Sequence, residues 1–212
     1  MMKFSCNCQK PTFSDKRYSY WERRGITSDE NDILKKILQD KYLIHKKILH
    51  IGIGNSKLAR SLDSSNEVYG ITISNSEIDY GNSLKLKNYK IFFCDKYSFN
   101  IKNIFNKIKF DLIIDTNLKS YSCCQNAFDF MMENLFNYLN YGGKIITSVN
   151  GMKWFKSLRP KLSFNFERFF YYKMKEVDGD SNNILNEIEL KKLCLDHGIK
   201  ILFDEKLCYL VK

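Results

Sequence analysis

Two glycines stand two positions apart in the stretch HIGIGNS (50–56), directly after an apolar run. Glycine tolerates positive φ and leaves the backbone bare, so that a ligand can approach the main chain closely. Where such a loop opens a helix, its free N–H groups favour a carboxylate or a phosphate. Gly52, Gly54 and the small Ser56 are therefore candidate binding residues for an anionic group.

The spacing of this loop separates two classes of nucleotide ligand. A dinucleotide-binding loop has a third glycine after two further residues, and an acidic residue about 20 positions on holds the ribose. Here Lys57 stands at the third glycine position and Thr72 at the acidic one. The loop instead has the h-x-G-x-G-x-[GS] pattern of loops that bind S-adenosylmethionine, which makes this molecule the expected cofactor.

Few residues are placed to move a proton. A general base must lie within hydrogen-bond reach of the group that it deprotonates. His50 precedes the glycine loop and Asp115 ends the apolar run KFDLIID, so these two are the candidate catalytic residues. Asp115 has the alternative role of holding the positive end of the cofactor. Because bases are scarce, we expect an acceptor that is already anionic, such as a phosphate-type or carboxylate oxygen.

A basic and aromatic segment occupies part of the last third of the chain. Residues 151–175 read GMKWFKSLRPKLSFNFERFFYYKMK, with cations interleaved among aromatic rings. This composition suits a cover over an anionic ligand with a ring, such as a phosphorylated sugar or a nucleotide sugar. Trp154, Arg159 and Arg168 are its candidate substrate-binding residues, while packing on the core accounts for most of its phenylalanines.

The composition limits the kind of partner. The 212 residues carry a net charge of +10, which favours an anionic partner, and a hydrophobic fraction of 44% excludes a disordered chain. No apolar run reaches the ~18 residues of a membrane span. The N-terminus lacks the apolar centre of a secretory signal, so we predict a cytoplasmic protein. The seven cysteines lack zinc-ligand spacing, and we expect reduced thiols and no metal.

Strands and helices alternate along the chain. Apolar runs predict strands at 46–53, 67–73, 89–94, 109–115, 144–149, 199–204 and 206–211. Periodic and capping signals predict helices after Ser28, around 58–62, after Ser74 with Glu77 completing a capping box, at 122–139 and at 186–198. This alternation predicts an α/β fold: a doubly wound, seven-stranded, mostly parallel sheet with a C-terminal antiparallel hairpin. Ligands of such sheets bind at the carboxyl ends of the strands.

From about residue 46 to residue 212, the chain resembles the Rossmann-fold (class I) S-adenosylmethionine-dependent methyltransferases. The matching motifs are ILHIGIGNS, EVYGITISNSE, FFCD, FDLIID and YGGKII, in that order. The resemblance implies cofactor contacts at the amino-acid end by Gly52, Gly54 and Ser56, at the ribose by Thr72 and Ile73, and at the adenine amino group by Asp95. It also implies that Asp115 to Asn117 face the sulfonium and its methyl group.

Two positions depart from the family pattern. Many family members have an acidic residue where His50 stands, and an acidic ribose ligand where Thr72 stands. Variants that read GIT-[IL]-S at the second site occur among members similar to cyclopropane-fatty-acid synthases. A threonine there forms single hydrogen bonds and lacks the two-oxygen clamp of a carboxylate, so we expect the departure to affect cofactor affinity.

The resemblance also divides the chain. It implies an N-terminal helical arm (1–45) that covers the pocket, and a methyltransferase core (46–212) with a substrate lid at 151–185. In similar small-molecule methyltransferases a Tyr-Trp pair and a following Arg precede the first motif. This pattern implies that Tyr20, Trp21 and Arg24 contact the cofactor or the substrate.

A narrower similarity is to short methyltransferases of capsule and surface-polysaccharide gene clusters, including those for methyl phosphoramidate groups. It implies O-methylation, by in-line displacement, of a small anionic acceptor such as a phosphorylated or phosphoramidate sugar. Two alternatives stay open. One is an RNA or other nucleic-acid methyltransferase, which the basic charge also fits but for which the arm and lid are small. The other is a non-catalytic cofactor-binding subunit, which the departures at His50 and Thr72 favour.

Overall fold

The computed structural model describes residues 25–39, 43–120, 122–149, 185 and 187–212. Several residues predicted to contact ligands in the arm and the lid lie outside these ranges: Tyr20, Trp21, Arg24, Trp154, Arg159 and Arg168. The contacts predicted for them therefore stay predictions.

Helices alternate with strands through the described chain. The helices are α1 (Ser28–Gln39), α2 (Lys57–Ser61), α3 (Asn75–Ser83), α4 (Asn100–Phe105), α5 (Gln125–Tyr138) and α6 (Glu187–Asp196). The strands are β1 (Lys47–Ile51), β2 (Glu67–Thr72), β3 (Tyr89–Phe93), β4 (Phe110–Ile114), β5 (Leu139–Ser148), β6 (Lys200–Phe203) and β7 (Leu207–Val211). Within the described ranges, no helix has the length and apolar character needed to cross a membrane.

The strands form one sheet in the order β3-β2-β1-β4-β5-β7-β6. β1 pairs in parallel with β2 and β4, β2 with β3, and β4 with β5. β7 lies between β5 and β6 and pairs with both in the antiparallel direction. The predicted doubly wound, seven-stranded, mostly parallel sheet with a C-terminal antiparallel hairpin is confirmed.

Helices cover both faces of the sheet, which explains why the central strands are apolar along their whole length. On one face, residues of α1 and α2 pack with Ile48 and Val68. On the other face, residues of α4, α5 and α6 pack with Leu49 and Ile71. Successive residues of a strand point to opposite faces, so Ile48 and Leu49 contribute to different layers of the core.

The first helix has a different cap from the predicted one. Thr27 Oγ1 accepts from the Glu30 N–H at 3.1 Å, and the Thr27 N–H donates to Glu30 Oε2 at 3.0 Å. This reciprocal pair is a capping box. The prediction of Ser28 as the cap is wrong, because Thr27 is the residue placed three positions before a glutamate. Asp29 Oδ1 then accepts from Ser148 Oγ at 3.0 Å, which ties the start of α1 to the end of β5.

Candidate functional site

Four neighbouring strands bring the predicted cofactor-binding residues to one edge of the sheet. β3, β2, β1 and β4 are adjacent and parallel, so their carboxyl ends lie side by side. Thr72 ends β2, and three residues follow the other strands: Gly52 after β1, Asp95 after β3 and Asp115 after β4. The sequence predicted a common site for these residues, and the fold places them on a common edge.

The loop between β1 and α2 passes through left-handed backbone conformations. Gly52 has a φ of 73°, Gly54 of 49° and Ser56 of 55°. Gly52 is exposed, and a Cβ built on it would meet nothing within 4 Å among the described residues. Conformation, rather than crowding by the described residues, therefore requires glycine here. None of the described residues fills the space that a Cβ of Gly52 would enter.

Ser56 supports the loop from inside the protein. The residue is fully buried, and its Oγ lies 3.3 Å from the Tyr89 hydroxyl oxygen. Its backbone N–H donates to the Ile53 carbonyl at 2.8 Å, which closes the turn. The structure thus places the hydroxyl of this predicted ligand between the loop and β3.

The end of β2 has a neighbouring carboxylate. Ser74 caps α3 as predicted, since its Oγ accepts from the Glu77 N–H at 3.4 Å. Glu77 Oε2 accepts from Thr72 Oγ1 at 2.5 Å, and the Ser74 N–H donates to the same Thr72 oxygen at 3.2 Å. The carboxylate therefore lies beside the position where the family pattern has an acidic ribose ligand. Ile73, the other residue predicted at the ribose, is partly buried.

Sequence reasoning gave Glu77 only a capping role. The signal that it overlooked is the separation of five positions between Thr72 and Glu77, which lets the first turn of α3 fold back onto the end of β2.

Asp95 lies just past β3 in a tight turn. Its Oδ1 accepts from the Tyr97 N–H at 2.8 Å, and its carbonyl accepts from the Ser98 N–H at 2.9 Å. The preceding Cys94 N–H donates to the Thr72 carbonyl at 2.8 Å. These bonds fix the Asp95 turn beside the end of β2, so the predicted adenine and ribose positions are neighbours.

Asp115 is paired with a buried lysine. Lys96 Nζ lies 2.7 Å from Asp115 Oδ2, and only 9% of Lys96 and 3% of Asp115 are exposed. The Asn117 N–H donates to the second oxygen, Oδ1, at 2.9 Å. Both oxygens of this candidate base are therefore already engaged. The sequence analysis did not identify Lys96 as a site residue. The one signal that could have identified it is that Lys96 directly follows Asp95 in the chain.

His50 is buried within β1. The sheet register pairs it with Gly70 and Ile114, and its Nδ1 has no hydrogen-bond partner in the described part of the chain. Burial lowers the pKa of the imidazole to about 4, because removal from water disfavours the cation. The ring is therefore uncharged at neutral pH. Its pKa is also far below the working pH that suits a general base.

The described cysteines are free thiols. Burial raises the pKa of Cys94 to about 12, of Cys194 to about 11 and of Cys208 to about 12. These three thiols keep their protons near neutral pH and pack as small apolar groups, as the sequence predicted. Among the residues that the structure describes, no group of three His, Cys, Asp or Glu side chains could hold a metal ion.

No protein-family model and no curated protein matches this chain. Solved structures do share its fold. One is an O-methyltransferase family protein from Burkholderia thailandensis, with a TM-score of 0.59 at 10% identity over 86% of this chain and 55% of that one. The chain thus spans about half the length of that neighbour.

Two further neighbours match along nearly their whole length. Magnesium protoporphyrin IX methyltransferase from Synechocystis, solved with bound SAH, has a TM-score of 0.59 at 14% identity over 93% of each chain. The N-methyltransferase NodS from Bradyrhizobium japonicum has a TM-score of 0.57 at 12% identity over 88% of this chain and 96% of that one. At these identities the likeness establishes the fold, which this chain shares with S-adenosylmethionine-dependent methyltransferases.

Proposed function

We propose that this protein is an S-adenosylmethionine-dependent methyltransferase. The observation that supports this most directly is the row of four adjacent strand ends, each with a group suited to one part of the cofactor. In sheet order these are Asp95 for the adenine, the Thr72–Glu77 pair for the ribose, the glycine loop for the methionine tail and the segment 115–117 for the sulfonium. The fold shared with solved methyltransferases supports the same function.

The residues at these positions fit the cofactor chemically. None of the described residues blocks close approach of a methionine tail to the Gly52 backbone. Thr72 and Glu77 offer a hydroxyl and a carboxylate to the ribose. Asn117 Oδ1, beside Asp115, is buried and has no hydrogen-bond partner within the described ranges, so an acceptor atom is available next to the proposed sulfonium position.

The chemistry of the site favours an acceptor that brings no proton. When bound, the cofactor supplies a methyl group on a positively charged sulfur. The protein must hold an acceptor atom in line with the S–C bond and exclude water. Asp115 already accepts two hydrogen bonds and His50 is buried in β1, so neither candidate base is arranged to remove a proton. An anionic oxygen carries no proton, so its methylation would require no base from Asp115 or His50.

We therefore propose O-methylation of a small anionic acceptor, namely a phosphorylated or phosphoramidate sugar or nucleotide sugar of polysaccharide biosynthesis. The net charge of +10 supports an anionic partner. Trp154, Arg159 and Arg168 are the proposed substrate contacts in the lid.

A transfer assay with radiolabelled S-adenosylmethionine tests this function. We expect label on phosphorylated sugars or nucleotide sugars, and a raised KM for that acceptor in Arg159→Ala and Arg168→Ala. An unchanged KM in both variants would refute the anionic lid. Label on RNA, with an affinity that falls steeply as salt rises, would favour the nucleic-acid methyltransferase instead.

A further inference from the structure

A buried clasp joins the segment after β3 to the loop after β4. The clasp consists of Lys96 and Tyr97 on one side and residues 115–120 on the other. A lysine ammonium has three N–H groups to donate. Four oxygen atoms lie within 3.5 Å of Lys96 Nζ: Asp115 Oδ2 at 2.7 Å, the Asn117 carbonyl at 2.9 Å, the Leu118 carbonyl at 3.0 Å and Ser120 Oγ at 3.5 Å. All three donors of the ammonium are thus satisfied by this one loop.

Tyr97 reinforces the same connection. Its hydroxyl donates to the Ser120 carbonyl at 2.8 Å, so two consecutive side chains hold both ends of the loop. Asp95, the proposed adenine ligand, directly precedes them in the chain. The clasp therefore links two proposed cofactor-binding positions that are 20 residues apart in sequence, Asp95 and Asp115.

The charges of the clasp balance each other. A buried charge that loses its partner is strongly unfavourable. The Lys96 ammonium compensates the Asp115 carboxylate at 2.7 Å, and the pair together presents no net charge to its surroundings. A neutral pair gives a positive sulfonium little electrostatic advantage over a neutral thioether.

We infer that Lys96 is a positioning residue, which fixes the loop 115–120 against the methyl donor and neutralises Asp115 there. This inference rests on the proposed function. The neutral Lys96–Asp115 pair then contributes little to any preference for the donor, S-adenosylmethionine, over the product, S-adenosylhomocysteine, whose sulfur is uncharged. The site can then exchange product for donor without an electrostatic penalty.

Calorimetric titration tests the inference. For each variant below, it gives the dissociation constants of S-adenosylmethionine and of S-adenosylhomocysteine, and the ratio of these two constants is compared with that of the unmodified protein. In Lys96→Met the Asp115 carboxylate loses its counter-charge, and we expect the ratio to shift about tenfold in favour of S-adenosylmethionine. In Asp115→Asn the ammonium is left unpaired, and we expect a shift in the opposite direction. A general loosening of the fold would weaken both ligands alike and leave the ratio unchanged.

Lys191→Met is the control. Lys191 Nζ also lies 2.7 Å from a carboxylate, Glu187 Oε1, but both residues belong to α6 and neither is a proposed cofactor contact. We expect its ratio to equal that of the unmodified protein. The inference is overturned if Lys96→Met and Asp115→Asn also keep that ratio.

Two further outcomes are distinguishable. If Lys96→Met does not fold, Asp115→Asn alone decides, because an unchanged ratio in that variant overturns the inference. If the unmodified protein binds neither ligand, the proposed function fails, and the role of Lys96 fails with it.

Discussion

Glu77 provides a carboxylate beside the end of β2, where Thr72 replaces the acidic residue of the family pattern. In the proposed ribose site Thr72 would offer a single hydroxyl, whereas a carboxylate can accept from two ribose hydroxyls. Because Glu77 Oε2 lies 2.5 Å from Thr72 Oγ1, the acidic group stands one side chain away from its usual place. We propose that this carboxylate, supplied by α3, offsets the loss of cofactor affinity that the threonine is expected to cause.

Glu77→Gln should therefore weaken the binding of S-adenosylhomocysteine about tenfold, since hydrogen bonds to a charged acceptor are stronger than those to a neutral one. Calorimetric titration measures the change. Asp79→Asn is the control, because Asp79 lies on the same helix and is exposed. Equal affinity in Glu77→Gln and the unmodified protein would exclude Glu77 from the ribose site.

His50 predicts a dependence of stability on pH. Burial lowers its pKa to about 4 in the folded protein, from 6.5 for the free side chain. Between these two values the unfolded chain binds the proton more readily, so the free energy of unfolding falls as pH falls from 6.5 to 4. Above pH 6.5 this contribution is fully present. The total loss from this one group is on the order of 3 kcal/mol.

Urea unfolding at a series of pH values measures this effect. His50→Leu removes the titrating group, and we expect its free energy of unfolding to vary less across the same pH interval. His197→Leu is the control, because His197 is exposed. The same pH dependence in His50→Leu and the unmodified protein would show that other groups cause it.

At the level of elements, the first half of β5 depends on Gly143, which lies within the strand. A Cβ at this position would lie 2.9 Å from the carbonyl oxygens of Asn140 and Phe110. Both atoms belong to the backbone, which cannot move aside as a flexible side chain can. Gly143→Ala should therefore lower the free energy of unfolding by about 1–3 kcal/mol.

Chemical denaturation checks this expectation. Tyr141→Ala is the matched control, since Tyr141 lies in the same strand and is 98% exposed. Its free energy of unfolding should change by less than about 0.5 kcal/mol. A similar small change in Gly143→Ala would show that the two carbonyl groups do move.

The elements that the sequence predicted best are those with long apolar patterns. The strands around the glycine loop and the helix α5 have enough apolar residues for their period to be recognised. α4 was not predicted, because it has six residues and buries only Ile101 and Phe105. β5 was predicted to start at residue 144 but starts at Leu139. The strand continues through Gly142 and Gly143, and its pairing with β4 shifts register between Phe110 and Leu112.

At the level of the whole molecule, the order of the strands brings together the positions that the family resemblance had named. Residues that end parallel strands share one edge, so Gly52, Thr72, Asp95 and Asp115 lie along one side of the sheet. The roles of Lys96 and Glu77 could not be predicted from the sequence, because they depend on which carboxylate or hydroxyl the folded chain brings near them. Such contacts follow from tertiary packing and leave no period in the sequence.

Cofactor binding at the glycine loop is tested by calorimetric titration with S-adenosylhomocysteine of the unmodified protein, Gly52→Ala and Gly198→Ala. Gly52 and Gly198 both have positive φ, 73° and 65°, and a Cβ at either meets nothing within 4 Å among the described residues. Backbone strain should thus be similar in the two variants, while only Gly52→Ala places a methyl group in the proposed ligand space. We predict one-site binding to the unmodified protein and to Gly198→Ala, and binding at least about tenfold weaker to Gly52→Ala. No binding to the unmodified protein in the millimolar range, or equal binding to all three, would contradict cofactor binding at this loop.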